Sequence, residues 1–123
     1  MALTATLGAL APAGARADDD EWLAPDKALH FSVSAALASG GYALGALDWH
    51  ERSVRAAAGA TFALTLGAAK ELLDLAGLGE PSWRDLTWDV VGAAVGVALA
   101  LGVDLLIEAL GHHDGRSPAR AAR

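Results

Sequence analysis

Residues 83–110 read WRDLTWDVVGAAVGVALALGVDLLIEAL, and this stretch decides the fold. It carries no formal charge over residues 90–103, and it shows no alternation of apolar and polar residues at the period of a strand. Ser82 precedes the stretch as a helix N-cap, Asp85 lies in the first turn, and Gly111 follows as a stop signal. We therefore predict a long apolar helix that begins after Ser82 and ends at Gly111.

Two earlier segments have the same character. Pro25 is favourable at the start of a helix and an acid follows it in the first turn, which predicts a first helix over residues 26–47. A second helix is predicted over residues 53–76, ending at the C-cap residues Gly77 and Gly79. The fold class predicted from these segments is all-α, a small up-down bundle of three long hydrophobic helices in one domain over residues 26–111.

The composition removes several classes of function. The chain has 123 residues, 54% of them hydrophobic, and a net charge of −6, because 15 acidic residues outnumber 9 basic ones. Without a basic stripe, binding to nucleic acid is excluded. Without any cysteine, the chain has no disulfide, no cysteine-ligated zinc and no thiol nucleophile.

The two ends of the chain differ from the domain. Residues 1–17 are small and apolar, and Ala15-Arg16-Ala17 has the spacing that a signal peptidase recognises, so we predict a cleaved signal peptide. The alternative is a plain disordered leader, because no basic residues precede the apolar run. Residues 18–25 form an acidic N-terminal segment. Residues 112–123 are predicted to be a disordered tail, in which His112 and His113 have no special role.

The three helices are more hydrophobic than a soluble bundle requires, which predicts that they cross a membrane. Four tryptophans fall at the ends of the segments, where an interfacial belt would place them: Trp22, Trp49, Trp83 and Trp88. The alternative is a soluble or peripheral bundle in which the tryptophans are core anchors. Arginines are concentrated between the first and second helices and in the C-terminal tail, and positively charged loops usually lie on the cytoplasmic side of a membrane. The N-terminus is therefore predicted to lie on the outer, periplasmic side of the cell membrane.

Unusual polar residues meet at one end of an up-down bundle, where the first helix begins, the second ends and the third begins. They are Asp26, Lys27, His30 and Ser34 in the first helix, Lys70, Glu71 and Asp74 in the second, and Arg84, Asp85 and Asp89 in the third. Each group shares its helix face with small residues. These are Gly41 and Gly45 in the first helix, Gly59, Ala63 and Gly67 in the second, and Gly92 and Gly96 in the third. We therefore predict that the polar side chains point inward and form one connected site on the N-terminal side.

These residues order themselves along the chain as D-K-x-x-H-F-x-x-S (26–34), K-E-x-x-D (70–74) and S-x-x-D-x-x-x-D-x-x-G-x-x-x-G (82–96). The ordered set resembles the YfiM-like periplasmic lipoproteins and the related VanZ-like membrane proteins over about 70 of the 123 residues. The VanZ-like pattern has E-x-x-Q and D-x-x-x-N where this chain has acids at both second positions, so the YfiM-like type is closer. The resemblance implies a location in the cell envelope and a family link to glycopeptide resistance. It implies neither lipidation, since no cysteine is present, nor a particular reaction.

Two hypotheses about function follow from the polar residues. In the first, the protein is a hydrolase or transferase acting on a lipid-linked or phosphorylated envelope substrate, with His30, Glu71, Asp85 and Asp89 as candidate catalytic residues. Glu71, Asp85 and Asp89 are then candidate ligands of a divalent metal ion. Candidate ligand-binding residues are Asp26, Lys27, Ser34, Lys70, Asp74 and Arg84.

In the second hypothesis the protein is not a catalyst, and the polar residues form a structural ion network or bind a ligand or partner. Membrane lipid is the predicted partner in both cases, together with a homo-oligomer formed through the small-residue faces. Asp104 and Glu108, one turn apart near the other end of the third helix, are interpreted as interfacial residues.

Overall fold

The computed structural model describes residues 21–114, which form three helices. The helices are α1 (Pro25–Gly45), α2 (Arg52–Leu73) and α3 (Trp83–Asp114), and a short π-helical segment, Asp74–Leu78, continues α2. The prediction of an all-α, three-helix bundle is confirmed. The predicted signal peptide and most of the predicted tail lie outside the described residues.

The ends of α1 and α3 differ from the prediction. α1 ends at Gly45 because the following N–H groups of Leu47 and Asp48 bond to carbonyls only three residues back, which tightens the chain into a turn. The predicted stop of the third helix at Gly111 is wrong, since α3 continues to Asp114. A glycine ends a helix when it adopts a left-handed conformation, and Gly77, with φ of 97°, is the only described residue with a positive φ.

The turn between α2 and α3 is built by glycines and one serine. Gly77 turns the chain inside the π-helical segment, where it takes a φ of 97° that residues with side chains rarely adopt. A side chain at Gly79 would collide with the carboxylate of Asp74, so the glycine allows the chain to pass over this acid. Ser82 caps α3 as predicted, because its hydroxyl accepts the backbone N–H of Asp85 at 3.3 Å.

The helices approach each other through small residues. A side chain on Gly92 would meet the carbonyl oxygen of Phe31, and one on Gly96 would meet the carbonyl oxygen of Ala35, so α1 and α3 touch backbone to backbone. α1 and α2 touch in the same way at Gly59, which lies against the backbone of α1. The apolar core between the helices is accordingly small, with Ala38, Ala63 and Ala93 at its centre.

Large apolar side chains face outward on all three helices. Those more than half exposed include Leu29 and Leu44 on α1, Leu72 and Leu73 on α2, and Leu99, Val103, Leu106 and Ile107 on α3. The buried side chains, by contrast, include Lys27, Ser34, Asp85 and Asp89. At the end where the polar residues meet, charged side chains are therefore buried while leucines such as Leu29, Leu72 and Leu73 face outward.

Within the described residues one helix, α3 over Trp83–His113, is long and apolar enough to cross a membrane by length and composition. The prediction of three membrane-spanning helices therefore stays a prediction, since α1 and α2 lack the required apolar length. α1 and α2 fall short because their inner faces carry serines, glycines and ionisable residues, which lower the mean hydropathy of helices whose outer faces are apolar.

Candidate functional site

Asp85, in the first turn of α3, joins all three helices. Its Oδ1 accepts a hydrogen bond from Lys27 of α1 at 2.5 Å, and its Oδ2 accepts one from Lys70 of α2 at 3.0 Å. The same Oδ2 lies 3.2 Å from Nε2 of His30. Asp85 is 5% exposed and Lys27 is 2% exposed, so this contact is an ion pair removed from solvent. The hydrogen bonds of this ion pair offset part of the free energy lost when its two charges leave water.

One turn further along α3, Asp89 holds α1 through two side chains. Its Oδ1 accepts the hydroxyl of Ser34 at 2.8 Å and lies 3.0 Å from Nδ1 of His30. Each ring nitrogen of His30 therefore faces a carboxylate oxygen. Both N–H groups of an imidazolium satisfy that arrangement, whereas a neutral ring has only one N–H to donate.

Lys70 connects the end of α2 to the other acids. Its Nζ lies 3.0 Å from Glu71, 2.7 Å from Asp74 and 3.0 Å from Asp85. Glu71 in turn accepts the backbone N–H of Ser82 at 2.7 Å, which ties the inter-helix turn to α2. Opposing effects act on the Lys70 ammonium: burial disfavours its charged form, and the hydrogen bonds that it donates to three carboxylates favour that form.

Lys27 also lies 2.7 Å from Asp26, whose side chain is 54% exposed. We call the connected set the polar cluster, and it consists of Asp26, Lys27, His30, Ser34, Lys70, Glu71, Asp74, Asp85 and Asp89. Of the ten residues proposed from the sequence, these nine are joined by direct contacts. The tenth, Arg84, has its guanidinium over the rings of Trp22 and Trp83, 5.5 and 5.4 Å from their centroids.

The acids of the polar cluster face bases rather than one another. No group of three His, Asp or Glu side chains within residues 21–114 is arranged to hold a metal ion. Asp85 has both oxygens engaged by cationic groups, and Glu71 is engaged by Lys70 and the N–H of Ser82. The predicted divalent metal at Glu71, Asp85 and Asp89 therefore has no matching set of ligands in the described chain.

One oxygen of the polar cluster is left over. Asp89 is 3% exposed, and its Oδ2 has no hydrogen-bond partner among the described residues. A Cβ built on Gly67 of α2 would lie 2.5 Å from this oxygen, so the glycine is what allows α2 to pass so close to the carboxylate. A buried carboxylate oxygen without a donor destabilises the fold, so a ligand that donates a hydrogen bond to this oxygen would bind favourably.

A groove between α1 and α2 leads to this point. Its volume is about 280 Å³, and its apolar walls are formed by Leu29, Val33, Leu37, Ala63 and Leu66. His30, Ser34, Gly67, Lys70 and Asp89 also line it. We call it the α1–α2 groove; it places an apolar channel beside the polar cluster.

A second group of charges lies at the opposite end of the bundle, around Asp104 and Glu108, whose pairing with arginines was not predicted when they were interpreted as interfacial residues. Asp104 accepts hydrogen bonds from Tyr42 at 2.9 Å, from Arg52 at 3.0 Å and from Arg55 at 3.2 Å. Arg52 also bonds to Glu108. The signal was present, because two arginines three apart begin α2 and two acids four apart lie near the end of α3, at the same end of an up-down bundle.

The predicted small-residue faces are used inside the chain. Gly59, Gly67, Gly92 and Gly96 each lie against a neighbouring helix of the same molecule. Gly40 and Gly102 have open space where a side chain would be. A homo-oligomer remains a prediction, and the glycines free to take part in it are these outward-facing ones.

Comparison of the chain with protein-family models, with curated proteins and with solved structures finds no match.

Proposed function

We propose that this chain is a membrane-embedded protein of the cell envelope whose polar cluster holds the three helices together and binds a ligand. The observation that carries the proposal is the inverted distribution of side chains. Lys27, Asp85 and Asp89 are at most 5% exposed, while leucines and valines on every helix face outward. Lipid solvates such an outer surface, and ionisable residues within a membrane protein face its interior and mark functional sites.

The lengths of the helices agree with this proposal. α1 has 21 residues and α2 has 22, so at about 1.5 Å per residue each covers a hydrocarbon core of about 30 Å. α3 has 32 residues and extends beyond that thickness. The resemblance to the YfiM-like and VanZ-like proteins supports an envelope location, and the distribution of arginines supports a polar cluster on the outer side.

Ligand binding is favoured over catalysis by the state of the bases. Lys27 and Lys70 are held by carboxylates, so neither is positioned to receive a phosphate as the first hypothesis requires. Oδ2 of Asp89 has no donor among the described residues, and a ligand that donates a hydrogen bond would satisfy it.

A hydrolase or transferase remains the second candidate because of one contact. The hydroxyl of Ser34 donates to Asp89, and His30 lies against the same carboxylate oxygen, which places a hydroxyl beside a proton acceptor. In that case a fluorophosphonate probe should label the wild-type chain and not Ser34→Ala. Absence of labelling in both would leave binding as the function.

The membrane proposal is tested by labelling single cysteines in intact cells, which is straightforward because the chain has no native cysteine. Glu80→Cys lies in the turn beside the polar cluster, and Asp48→Cys lies in the turn at the other end. We expect the protein to stay with the membrane after alkaline extraction, and an impermeant maleimide to label Glu80→Cys and not Asp48→Cys. Release by alkali would refute embedding, and the reverse labelling would refute the orientation.

A further inference from the structure

We infer that the α1–α2 groove binds a single-chain amphiphile that carries an ammonium head group, with the ammonium at Asp89 and the alkyl chain along the groove. The inference rests on the proposed function and names the chemical class of the ligand. It is carried by three observations: an orphaned buried oxygen, an imbalance of charge, and an apolar channel that ends beside both.

The orphaned oxygen sets the need for a donor. Oδ1 of Asp89 already accepts from Ser34 and faces His30, whereas Oδ2 has no partner among the described residues. Gly67 covers Oδ2 without a side chain, and Gly67 and Asp89 both line the groove. A hydrogen-bond donor in the groove therefore lies beside this carboxylate, with only the glycine between Oδ2 and α2.

The balance of charge favours a cation over a neutral donor. Four acids of the polar cluster have side chains at most 12% exposed, namely Glu71, Asp74, Asp85 and Asp89. The described bases in direct contact with them are Lys27, Lys70 and His30, so within residues 21–114 even a fully protonated His30 leaves one more acid than base among these groups. An ammonium group at Asp89 would remove this excess, and a carboxylate or phosphate would add to it.

The walls of the groove define the rest of the ligand. Away from its polar end, which His30, Ser34, Lys70 and Asp89 line, the groove is walled by leucine, valine and alanine side chains on the facing sides of α1 and α2. Its volume of about 280 Å³ is just below that of small-ligand pockets, which run from roughly 300 to 1,000 Å³, so it suits one alkyl chain rather than a two-chain lipid. Leu29, Val33 and Leu66 are all at least 44% exposed, so the groove is open along its length to the surface that lipid would cover.

The test uses the full chain reconstituted in lipid nanodiscs and three probes of equal chain length at neutral pH: dodecylamine, dodecanol and dodecanoate. Native mass spectrometry counts the bound probe, and a titration gives the affinity. We expect one equivalent of dodecylamine to bind at least roughly tenfold more tightly than dodecanol, and dodecanoate not to bind, since a hydrogen bond between charged groups is the stronger kind.

Two matched variants locate the site. Leu66→Trp fills the wall of the groove without touching the polar cluster, and Leu72→Trp makes the same change on the same helix at a residue that is 66% exposed and does not line the groove. We expect Leu66→Trp to abolish binding of dodecylamine and Leu72→Trp to leave it unchanged. Asp89→Asn, with its fold checked by circular dichroism, should weaken binding by at least roughly tenfold.

Equal binding to wild type and Leu66→Trp, equal binding of dodecylamine and dodecanoate, or no binding of dodecylamine would each overturn the inference. The proposed function fails separately, by release of the protein from the membrane in alkali. A chain that stays embedded and binds no amine therefore disproves the ligand class alone.

Discussion

At the scale of single residues, Asp85 stands out because it accepts from lysines on both other helices. Lys27 approaches Oδ1 from α1, and Lys70 approaches Oδ2 from α2. Removing one member of a buried ion pair leaves the other charge without compensation, which costs far more than the pair itself contributes. The loss of this one carboxylate would take from Lys27, which is 2% exposed, its buried counter-ion and leave its contact with the exposed Asp26.

We predict that Asp85→Asn lowers the free energy of unfolding by about 3–5 kcal/mol, because the amide keeps the shape of the side chain and removes its charge. The measurement is unfolding of the purified protein in mixed micelles, followed by circular dichroism. Glu80→Gln, which removes an exposed acid in the neighbouring turn, is the control and should change stability little.

Asp104→Asn offers a second comparison at the opposite end, where the carboxylate side chain is 28% exposed. Its loss should cost less than that of Asp85, since water can replace part of what Arg52 and Arg55 donate. Equal losses for the two aspartates would show that burial does not set the strength of these pairs.

Much of the polar cluster was predictable from the sequence. Helical phase and up-down topology are enough to bring His30, Lys70 and Asp85 together, because both depend only on spacing along the chain. Which oxygen faces which base was not predictable, since that depends on side-chain rotamers and helix rotation. The absence of a donor for Oδ2 of Asp89 is a property of this kind.

At the scale of the helices, glycine sets the distance between α1 and α3. A Cβ on Gly92 would collide with the carbonyl oxygen of Phe31, an atom that is fixed in the backbone of α1. The helix cannot yield there by moving a side chain. It has to move away from α1, and the contacts of Asp85 and Asp89 lie on the same stretch of α3.

We predict that Gly92→Ala destabilises the protein by about 1–3 kcal/mol, the usual range for overpacking. Gly102→Ala, on the same helix, is the matched control, because nothing lies within 4 Å of a Cβ at Gly102. Alanine is the better helix former by up to about 1 kcal/mol, so the control should be neutral or stabilising. Thermal unfolding in detergent distinguishes the two, and equal melting temperatures would contradict the close contact.

The helix ends were the least predictable elements. Gly77 and Gly111 look alike as stop signals, yet only Gly77 adopts the left-handed conformation that ends a helix. At Gly77 the chain has to turn so that Glu71 can reach the N–H of Ser82. No such tertiary contact acts at Gly111, and α3 passes through it with His112 bonded to the carbonyl of Glu108 at 2.7 Å.

At the scale of the whole molecule, the three helices differ in how well each would enter a membrane alone. α3 is long and apolar enough to cross a membrane, whereas α1 and α2 have no apolar stretch of the same length. The deficit of α1 and α2 comes from the residues that they place inside the bundle. Their insertion should therefore depend on assembly, and that of α3 should not.

We predict that residues 80–114, fused to a glycosylation reporter, insert into microsomal membranes efficiently, and that residues 21–50 in the same fusion insert poorly. In the full chain, a reporter placed in the turn at Asp48 should reveal that α1 has crossed. Efficient insertion of residues 21–50 alone would show that α1 needs no partner.

Asp85 belongs to α3, which is synthesised after α1 and α2 and after the lysines that those helices carry. During translation Lys27 and Lys70 therefore emerge before the carboxylate that joins them, when only the acids of their own segments, Asp26, Glu71 and Asp74, can pair with them. The link that Asp85 makes between α1 and α2 at this end therefore forms only once α3 has arrived. We expect a chain truncated before Trp83 to lack this link and to be degraded faster than the full chain.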